Sequence, residues 1–316
     1  MVRIEGRTFV VSGGASGLGL GAVHGIIKSG GSVAILDQNV SAGDQIVKDL
    51  TAECCRFYQT DVSSTDSIAA AVSAVKEWTK ASRRPLGGVV TAAGIGIPTP
   101  AVDQSGQTPL NIQNWDKVFQ VNVRGSIDLA TQLLVGWAKP MITTKSEKGS
   151  NAPGSGEQQD DTDPDPDHDR GAIIFVSSIV AFEGTSGMSA YAASKGAIIG
   201  AVLPLARDLA EYGIRVVSIA PGVFQTPLYA RLPELIQAQN EGAVVFPKRA
   251  GEPGKDFAAL VKHIFENVYI NGTTLRLDAG MCACIRLEWM DPSITITNIA
   301  HHRAAYAMAR RMNDRK

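Results

Sequence analysis

The first half of this chain alternates short β-rich runs with segments whose apolar residues recur at helical spacing. The strand candidates are Thr8–Ser12, Ser32–Leu36, Cys55–Gln59 and Gly88–Thr91. The helical segments between them are Leu18–Ser29, Ala42–Leu50 and Thr65–Lys80. Runs such as VAIL are apolar at consecutive positions, which is typical of strands covered on both faces. The alternation therefore predicts βαβ units and a parallel sheet between two layers of helices.

The second half continues this alternation. We expect helices at Ser126–Ala138, Ser189–Tyr212 and Leu260–Asn267, and an earlier helix N-capped by Asn114. Further strands are predicted at Ala172–Ser177, Arg215–Ile219 and Thr273–Leu277. With 44% apolar and 19% charged residues the chain can fill a normal core. The sequence thus predicts one α/β domain, a Rossmann-type doubly wound parallel sheet of about seven strands.

Two segments do not fit this sheet. Residues 143–170 are rich in Asp, Gly, Ser and Pro and almost without apolar side chains, so we expect a disordered surface insertion. A metal site in its Asp/His cluster is the less favoured alternative, and no metal is predicted. Residues 286–316 end in a basic segment with helical spacing, which indicates a helix docked on the body or on a neighbouring subunit. The domain is therefore placed at residues 1–285, with 286–316 as an extension.

Charge and cysteine content narrow the class of protein. A net charge of −1 gives no reason to expect nucleic acid or an anionic membrane as a partner, and no apolar run looks long enough to span a bilayer. The N-terminus leads directly into a strand without room for a secretory signal. Four cysteines (Cys54, Cys55, Cys282 and Cys284) lack metal-site spacing and fit a reducing compartment. We expect a cytoplasmic protein.

A glycine-rich turn follows the first strand and opens the first helix. It comprises Ser12, Gly13, Gly14, Ala15, Ser16, Gly17, Leu18 and Gly19. Glycines let the backbone approach a pyrophosphate closely, and the helix N-terminus offers unpaired N–H groups and a positive dipole end. A glycine run could also be only a tight turn, but its place between strand and helix favours dinucleotide binding.

Asp37 ends the second strand, where a carboxylate can accept hydrogen bonds from the adenosine ribose hydroxyls. The same charge repels a 2′-phosphate. Gln38 follows, and the glycine turn contains no Arg or Lys to balance such a phosphate. The sequence therefore predicts NAD rather than NADP, the alternative being that Asp37 only solvates a loop.

A group suited to proton transfer lies further along the chain. Tyr191 and Lys195 are spaced i and i+4 on a predicted helix and so share one face, and Ser178 follows a predicted strand. A cation next to a phenol lowers the pKa of the phenol. We expect Tyr191 to act as general acid/base, Lys195 to lower its pKa and hold the nicotinamide ribose, and Ser178 to orient the substrate oxygen.

Together these motifs resemble the short-chain dehydrogenase/reductase family over roughly residues 6–285. The resemblance adds an adenine contact at Asp61 and Val62 and a strand-end turn at Ala93 and Gly94. It also implies that Asn122 completes a catalytic tetrad, holding a water that connects Lys195 to solvent. The remaining matched residues imply contacts to the nicotinamide carboxamide: Pro221, Gly222, Val223 and Thr226.

Segments such as GGASGLGL, VAFEG and FPKRAGEP are similar to the type-2 3-hydroxyacyl-CoA dehydrogenases, also called 17β-hydroxysteroid dehydrogenase type 10. This likeness implies an NAD-dependent oxidoreductase that interconverts a secondary alcohol and a ketone, with 3-hydroxyacyl-CoA as the implied substrate and fatty acid metabolism as its setting. It also implies a homo-oligomer, a tetramer or dimer, and a mitochondrial location as alternative. A ketoreductase for a non-CoA apolar substrate and a catalytically silent dinucleotide-binding regulator are the other readings.

Residues 224–245 follow the sixth predicted strand at the edge where such sheets bind ligands. We expect a mobile lid whose apolar residues wall the substrate site, against the alternative of simple packing. The apolar residues in question are Leu228, Tyr229, Leu232, Leu235 and Ile236. Lys248 and Arg249 follow, and could either meet CoA phosphates or remain a solvated basic pair.

Overall fold

A computed structural model describes residues 4–103, 105–138 and 167–281. Seven parallel strands form one sheet in the order β3-β2-β1-β4-β5-β6-β7. The strands are β1 (Thr8–Ser12), β2 (Ser32–Asp37), β3 (Cys55–Gln59), β4 (Leu86–Thr91), β5 (Gly171–Val176), β6 (Ile214–Pro221) and β7 (Thr273–Leu277). The predicted doubly wound α/β fold is confirmed.

Ten α-helices lie in the described part of the chain. They are α1 (Gly17–Lys28), α2 (Val40–Leu50), α3 (Thr65–Ser82), α4 (Ile112–Phe119), α5 (Ser126–Leu134), α6 (Val180–Glu183), α7 (Ser189–Asp208), α8 (Pro227–Ala230), α9 (Glu234–Ala243) and α10 (Ala258–Glu266). A π-helical turn at Gln120–Gly125 joins α4 to α5. A second π-helical turn, Pro253–Phe257, leads into α10.

The predicted start of α4 was wrong. Asn111, not Asn114, caps this helix, and its side chain accepts a hydrogen bond of 3.0 Å from the backbone N–H of Asn114. Both residues are asparagines three positions apart, so each fits the composition of a cap. The extended backbone of Asn111 (φ −73°, ψ 104°) places it at the cap position, and Asn114 lies within the first turn.

Two apolar clusters cover the two faces of the sheet. One joins α1 and α10 to the sheet, with Phe9, Ile26 and Phe265 fully or almost fully buried. The other packs α3, α5 and α7 on the opposite face, around Ile68, Leu129 and Phe175. Because β1, β2, β4, β5 and β6 lie between these layers, their side chains are buried on both faces, as their continuous apolar sequences predict.

Helix α7 has the length and hydropathy of a membrane-spanning helix, which the sequence analysis did not anticipate. Its residues Ile198, Val202 and Ala206 are nevertheless buried in the cluster on the sheet face. A helix that packs one side into a core passes the same test of length and composition, so this finding carries no argument for a membrane.

The predicted insertion and the predicted C-terminal extension largely lie outside the described residues. Of residues 143–170 only the last four are described, and Asp169 among them is buried at 4% exposure. Its carboxylate receives hydrogen bonds from the buried Arg215 at 3.0 to 3.2 Å. The end of the acidic segment is therefore part of the folded domain. Residues 286–316, Cys282 and Cys284 fall outside the description.

The strand order reverses between β1 and β4, because the chain leaves β1 towards β2 and later starts β4 on the other side. Such a switch point opens a crevice at the carboxyl ends of the strands. Here the strand ends are joined by Ser12, whose backbone carbonyl accepts from Ala92 at 3.1 Å and whose hydroxyl accepts from Ala93 at 3.3 Å. The fold thus places the glycine turn and the residues after β4 beside one crevice.

Candidate active site

The crevice at the strand ends contains a groove of about 270 Å³. Many of the residues predicted to bind the cofactor line this groove: Gly13, Ser16, Gly17, Leu18, Gly19, Asp37, Val62, Ala93, Gly94 and Thr226. The groove is also lined by residues that sequence reasoning did not assign to it, including Leu36, Thr60, Ile95 and Val121. These lie one position before or after recognised motifs or on the π-helical turn, so only the folded sheet edge shows their role.

Ser12 and Asp61 were also predicted as cofactor residues but do not line this groove. Ser12 is buried below it and holds the two strand ends together. The Asp61 carboxylate is exposed and accepts from the backbone and hydroxyl of Ser63 at 2.9 and 2.7 Å. A contact of Asp61 with an adenine stays a prediction.

The glycines of the turn are required by close backbone packing. A Cβ atom on Gly13 would lie 2.7 Å from the backbone nitrogen of Ala93, and one on Gly19 would overlap the carbonyl oxygen of Gly13. Gly17 has φ +53°, a left-handed conformation that glycine adopts without strain. Across the groove, a Cβ on Gly94 would lie 3.3 Å from Asn122 Oδ1 and 3.4 Å from Lys195 Nζ, so this backbone runs close to both side chains. At these glycines, both walls of the groove therefore consist of backbone without side chains.

Asp37 lies on the groove with its carboxylate partly engaged. One oxygen accepts from the backbone N–H of Ala15 at 3.1 Å and the other from Asn39 at 3.0 Å. An ionised carboxylate has about four acceptor sites, so two remain for ligand hydroxyls. None of the described residues that line the groove is Lys or Arg. A glycine-walled groove, a helix N-terminus and an acceptor at Asp37 fit a dinucleotide cofactor.

A second cavity of about 280 Å³ opens beside the groove and shares Leu18, Ala92, Gly94, Thr226 and Leu228 with it. Its floor contains Ser178, Tyr191 and Lys195. The predicted nicotinamide segment also lines it, through Pro221, Gly222, Val223 and Thr226. The structure therefore brings the three predicted reactive side chains to one cavity, next to the cofactor groove.

The positions of these side chains follow from two elements. Ser178 is 8% exposed just after β5, and its hydroxyl accepts from the backbone N–H of Val180 at 3.2 Å. Tyr191 and Lys195 lie one turn apart on α7, with Lys195 Nζ 5.7 Å from the centre of the Tyr191 ring. Lys195 is 5% exposed and donates to the carbonyl of Val176 at 2.8 Å.

Burial changes the ionisation of both α7 groups. It raises the pKa of the Tyr191 phenol, an effect that a hydrogen bond with Ser178 partly offsets. Burial lowers the pKa of the Lys195 ammonium to about 8. Both shifts disfavour the charged forms, because a charge loses its hydration in a low-dielectric site. Perturbed titrations of neighbouring groups in a cavity are typical of acid/base sites.

Asn122, the fourth predicted catalytic residue, lies beneath this cavity at 1% exposure. Its amide nitrogen donates to the carbonyl of Ile95 at 2.9 Å and to the hydroxyl of Ser194 at 3.0 Å. Its amide oxygen accepts from the backbone N–H of Ile95 at 2.8 Å. Both amide donors are thus used by the protein, and a water held by Asn122 stays a prediction.

The predicted lid forms α8 and α9 and contributes one wall of the second cavity. Leu228, Tyr229 and Leu232 line it as expected, whereas Leu235 and Ile236 do not. Asn240 also lines the cavity, and its amide makes no hydrogen bond with the described part of the chain. Nothing in the local pattern of α9 distinguishes it from a solvated polar residue, so the sequence did not reveal it.

In the basic pair after the lid, Lys248 is exposed and Arg249 is half-buried. Arg249 donates to the Asp256 carboxylate at 2.6 and 3.0 Å and is held within its own loop. This pairing favours a structural role for Arg249 over a contact with CoA phosphates.

Among residues 4–103, 105–138 and 167–281, no cluster of His, Cys, Asp and Glu is arranged to hold a metal ion.

Known proteins resemble this chain over most of its length. A family model described as short chain dehydrogenase matches residues 7–150 and 164–236. The 3-hydroxyacyl-CoA dehydrogenase type-2 of Homo sapiens is 37% identical over 279 residues, which cover 88% of this chain and 96% of that protein. A cyclopentanol dehydrogenase of Comamonas testosteroni is 29% identical over 289 residues, covering 90% of this chain and 100% of that protein.

Solved structures show the same likeness. The crystal structure of 3-hydroxyacyl-CoA dehydrogenase type-2 from Mycobacterium avium has a TM-score of 0.73 and 29% identity. The match covers 89% of this chain and 98% of that one. The resemblance thus includes both the sheet and the segments that line the two cavities.

Proposed function

Because the chain belongs to the short-chain dehydrogenase family, we propose that it interconverts a secondary alcohol and its ketone with NAD, and that its substrates are 3-hydroxyacyl-CoA thioesters. Family membership makes it an oxidoreductase of a small molecule that uses NAD or NADP. The observation that carries the proposal is the cluster of Ser178, Tyr191 and Lys195 in a cavity that joins the glycine-walled groove.

In the oxidation direction the bound nicotinamide supplies the acceptor for the hydride that leaves the carbinol carbon. Tyr191 takes the hydroxyl proton as general base, and the substrate oxygen becomes the ketone oxygen. Ser178 donates to that oxygen and holds it next to the phenol. The positive charge of Lys195 lowers the cost of forming the phenolate. In reduction the proton moves the other way.

Asp37 and the lack of cationic side chains support NAD as the cofactor. A carboxylate at this place repels the 2′-phosphate of NADP, and none of the described lining residues offers a compensating charge. We expect Asp37→Ala, and more so Asp37→Ala with Gln38→Arg, to lower kcat/KM for NAD relative to NADP. A matched control is Asp44→Ala, an acidic residue on α2 that does not line the groove. An unchanged preference in the double variant contradicts the assignment.

Tyr191→Phe tests the chemistry directly. This variant keeps the ring in place and removes the acid/base oxygen, so we expect kcat to fall by about 100- to 10,000-fold while NAD still binds. Binding is measured by calorimetry, independently of turnover. Near-normal turnover rules out Tyr191 as the general base. Normal NAD binding with no turnover by the wild type on any alcohol indicates the silent regulator instead.

Two observations support the proposed substrate class: the similarity to 3-hydroxyacyl-CoA dehydrogenases type-2, and the position of Asn240 in the cavity wall. A 3-hydroxyacyl group carries a carbonyl two bonds from the reacting carbon, which an amide in the cavity wall can hydrogen-bond. The alternative is an apolar alcohol without CoA, supported by the cyclopentanol dehydrogenase relative and by the apolar walls at Met188, Phe224 and Leu232. Comparing reduction of acetoacetyl-CoA and cyclopentanone with NADH decides between them, and a higher kcat/KM for cyclopentanone favours the alternative.

A homo-oligomer, a tetramer or dimer, is also proposed from the family resemblance. Light scattering of the purified protein measures its mass, and a monomer contradicts this part of the proposal. The compartment, cytoplasmic or mitochondrial, stays a prediction that imaging of the tagged protein tests.

A further inference from the structure

The loop after β4 contacts two parts of the candidate active site. At one end, both backbone polar groups of Ile95 bond to the side chain of Asn122. At the other end, Thr99 bonds to the start of α7, the helix that carries Tyr191. Between them, a Cβ built on Gly96 would lie 3.7 Å from the Tyr191 ring, so the loop backbone runs alongside the phenol. We name residues 95–99 the bridging loop.

Thr99 is buried at 1% exposure and uses all its polar groups on the segment that begins α7. Its backbone N–H donates to the carbonyl of Gly187 at 2.6 Å. Its carbonyl accepts from the hydroxyl of Ser189 at 2.7 Å. Its hydroxyl oxygen accepts from the backbone N–H of Ala190 at 3.0 Å.

Helix α7 has no cap of its own to replace these contacts. Its N-cap position is Met188, which makes no side-chain capping bond. The first N–H groups of any helix lack partners within the helix, and a hydroxyl or carboxylate nearby normally satisfies one of them. Here the hydroxyl comes from Thr99, 91 positions away from Ala190 along the chain.

Tyr191 directly follows Ala190 in this first turn. A helix start that frays or shifts moves Tyr191 relative to Ser178, which is held on a different element after β5. Lys195 lies a turn deeper and is held by the carbonyl of Val176, so it moves less. The geometry therefore points to Thr99 as a positioning residue that caps α7 from the bridging loop and fixes Tyr191 against Ser178. This inference rests on the proposed role of Tyr191 as general base.

The pair Thr99→Val and Thr99→Ser tests the inference in the full-length protein. Valine keeps the shape of the side chain without the hydroxyl, whereas serine keeps the hydroxyl. We expect Thr99→Val to lower kcat for alcohol oxidation by about 10- to 100-fold, the range for a misplacement near 1 Å, with KM near the wild-type value. Thr99→Ser should restore kcat.

The pH profile separates positioning from a general loss of stability. Burial raises the pKa of Tyr191 and a hydrogen bond with Ser178 partly offsets that rise, so losing the alignment with Ser178 shifts the rising limb of kcat to higher pH. The other titratable groups lining the cavity are Lys195 on the same helix and Tyr229 on α8, whose hydroxyl donates to the Gln237 carbonyl. Tyrosinate absorbance, titrated against Tyr191→Phe as blank, gives the same shift without turnover.

Asn111→Ala is the matched control, because it removes a helix N-cap, that of α4, from an exposed residue that does not line the cavity. This variant should lower the melting temperature without moving the rising limb of kcat against pH. Should Thr99→Val fail to fold, Ser189→Ala removes the exposed hydroxyl that bonds to both the carbonyl and the hydroxyl of Thr99, and should shift the rising limb in the same direction, by less.

The inference is overturned by a wild-type pH limb in the folded Thr99→Val variant, or in Ser189→Ala if that variant must replace it. It is also overturned if Thr99→Ser does not recover the wild-type profile, or if Asn111→Ala moves the limb equally. Failure of the proposed function looks different: Tyr191→Phe then retains turnover, while the absorbance titration still reports whether Thr99 fixes the phenol.

Discussion

Replacing Lys195 with methionine removes the positive charge nearest to the Tyr191 ring while keeping a long unbranched side chain. The Lys195 nitrogen is 5.7 Å from the ring centre. At an effective dielectric constant of about 20, opposite unit charges at that distance attract by about 3 kcal/mol. One pH unit corresponds to about 1.4 kcal/mol, so the stabilisation of the phenolate by Lys195 is worth about two pH units.

The direction of the effect follows from which form of each group is charged. Oxidation requires Tyr191 to accept a proton, so kcat rises with pH as the phenol ionises. Removing a nearby cation makes that ionisation harder and moves the rising limb upwards, by about two pH units where Lys195 is protonated at the limb and by less where it has already lost its proton. Below the limb, at constant pH, the rate of Lys195→Met therefore falls by up to about 100-fold.

The assay is kcat for alcohol oxidation against pH at saturating NAD, because Lys195 is also predicted to hold the nicotinamide ribose. At saturating NAD a lower affinity for the cofactor does not lower kcat. The rising limb of the pH profile therefore reports the electrostatic effect alone. Lys195→Arg keeps the charge and should leave the limb within about one pH unit of the wild type. A limb that stays in place in Lys195→Met refutes the electrostatic argument, even if the rate falls.

Two further predictions concern the groove and the base of the sheet. Gly19→Ala should abolish measurable NAD binding by calorimetry, because its Cβ would overlap the Gly13 carbonyl and displace the turn, whereas Gly200→Ala on α7, where a Cβ meets nothing within 4 Å, should bind normally. Arg215→Met should lower the free energy of unfolding in urea by about 3 to 5 kcal/mol, since it leaves the buried Asp169 carboxylate without its guanidinium. A loss below about 1 kcal/mol contradicts that view of the ion pair.

Much of the sheet could be predicted because the central strands are short apolar runs, and because β3 and β7 are short runs rich in strand-forming residues. The predicted bounds of β1, β3 and β7 coincide with those in the structure, and the other strands differ by one or two residues at their ends. Composition does not separate two candidate caps of the same type, such as Asn111 and Asn114. Only the folded backbone shows that the Asn111 side chain accepts from the N–H of Asn114.

The reactive residues could be predicted because their spacing has a local meaning. Tyr191 and Lys195 share a helix face whatever the rest of the chain does, and a glycine turn between strand and helix limits its own conformations. The contribution of Thr99 has no such signal, since its partner Ala190 is 91 positions away and a buried threonine in a loop looks ordinary. Asn240 is similar, because only the folded lid shows that this residue lines the cavity.

The burial of the site makes the two α7 groups depend on each other. Burial raises the pKa of Tyr191 and lowers that of Lys195 to about 8, so each alone tends towards its neutral form. A phenolate and an ammonium on adjacent turns stabilise one another, and the pair is expected to titrate as a unit. The Lys195 charge that lowers the pKa of Tyr191 is present below about pH 8 and is lost above it when Tyr191 is neutral. Once the phenolate forms, its negative charge raises the pKa of Lys195. A variant that moves Tyr191 away therefore also lowers the pKa that Lys195 has beside the phenolate.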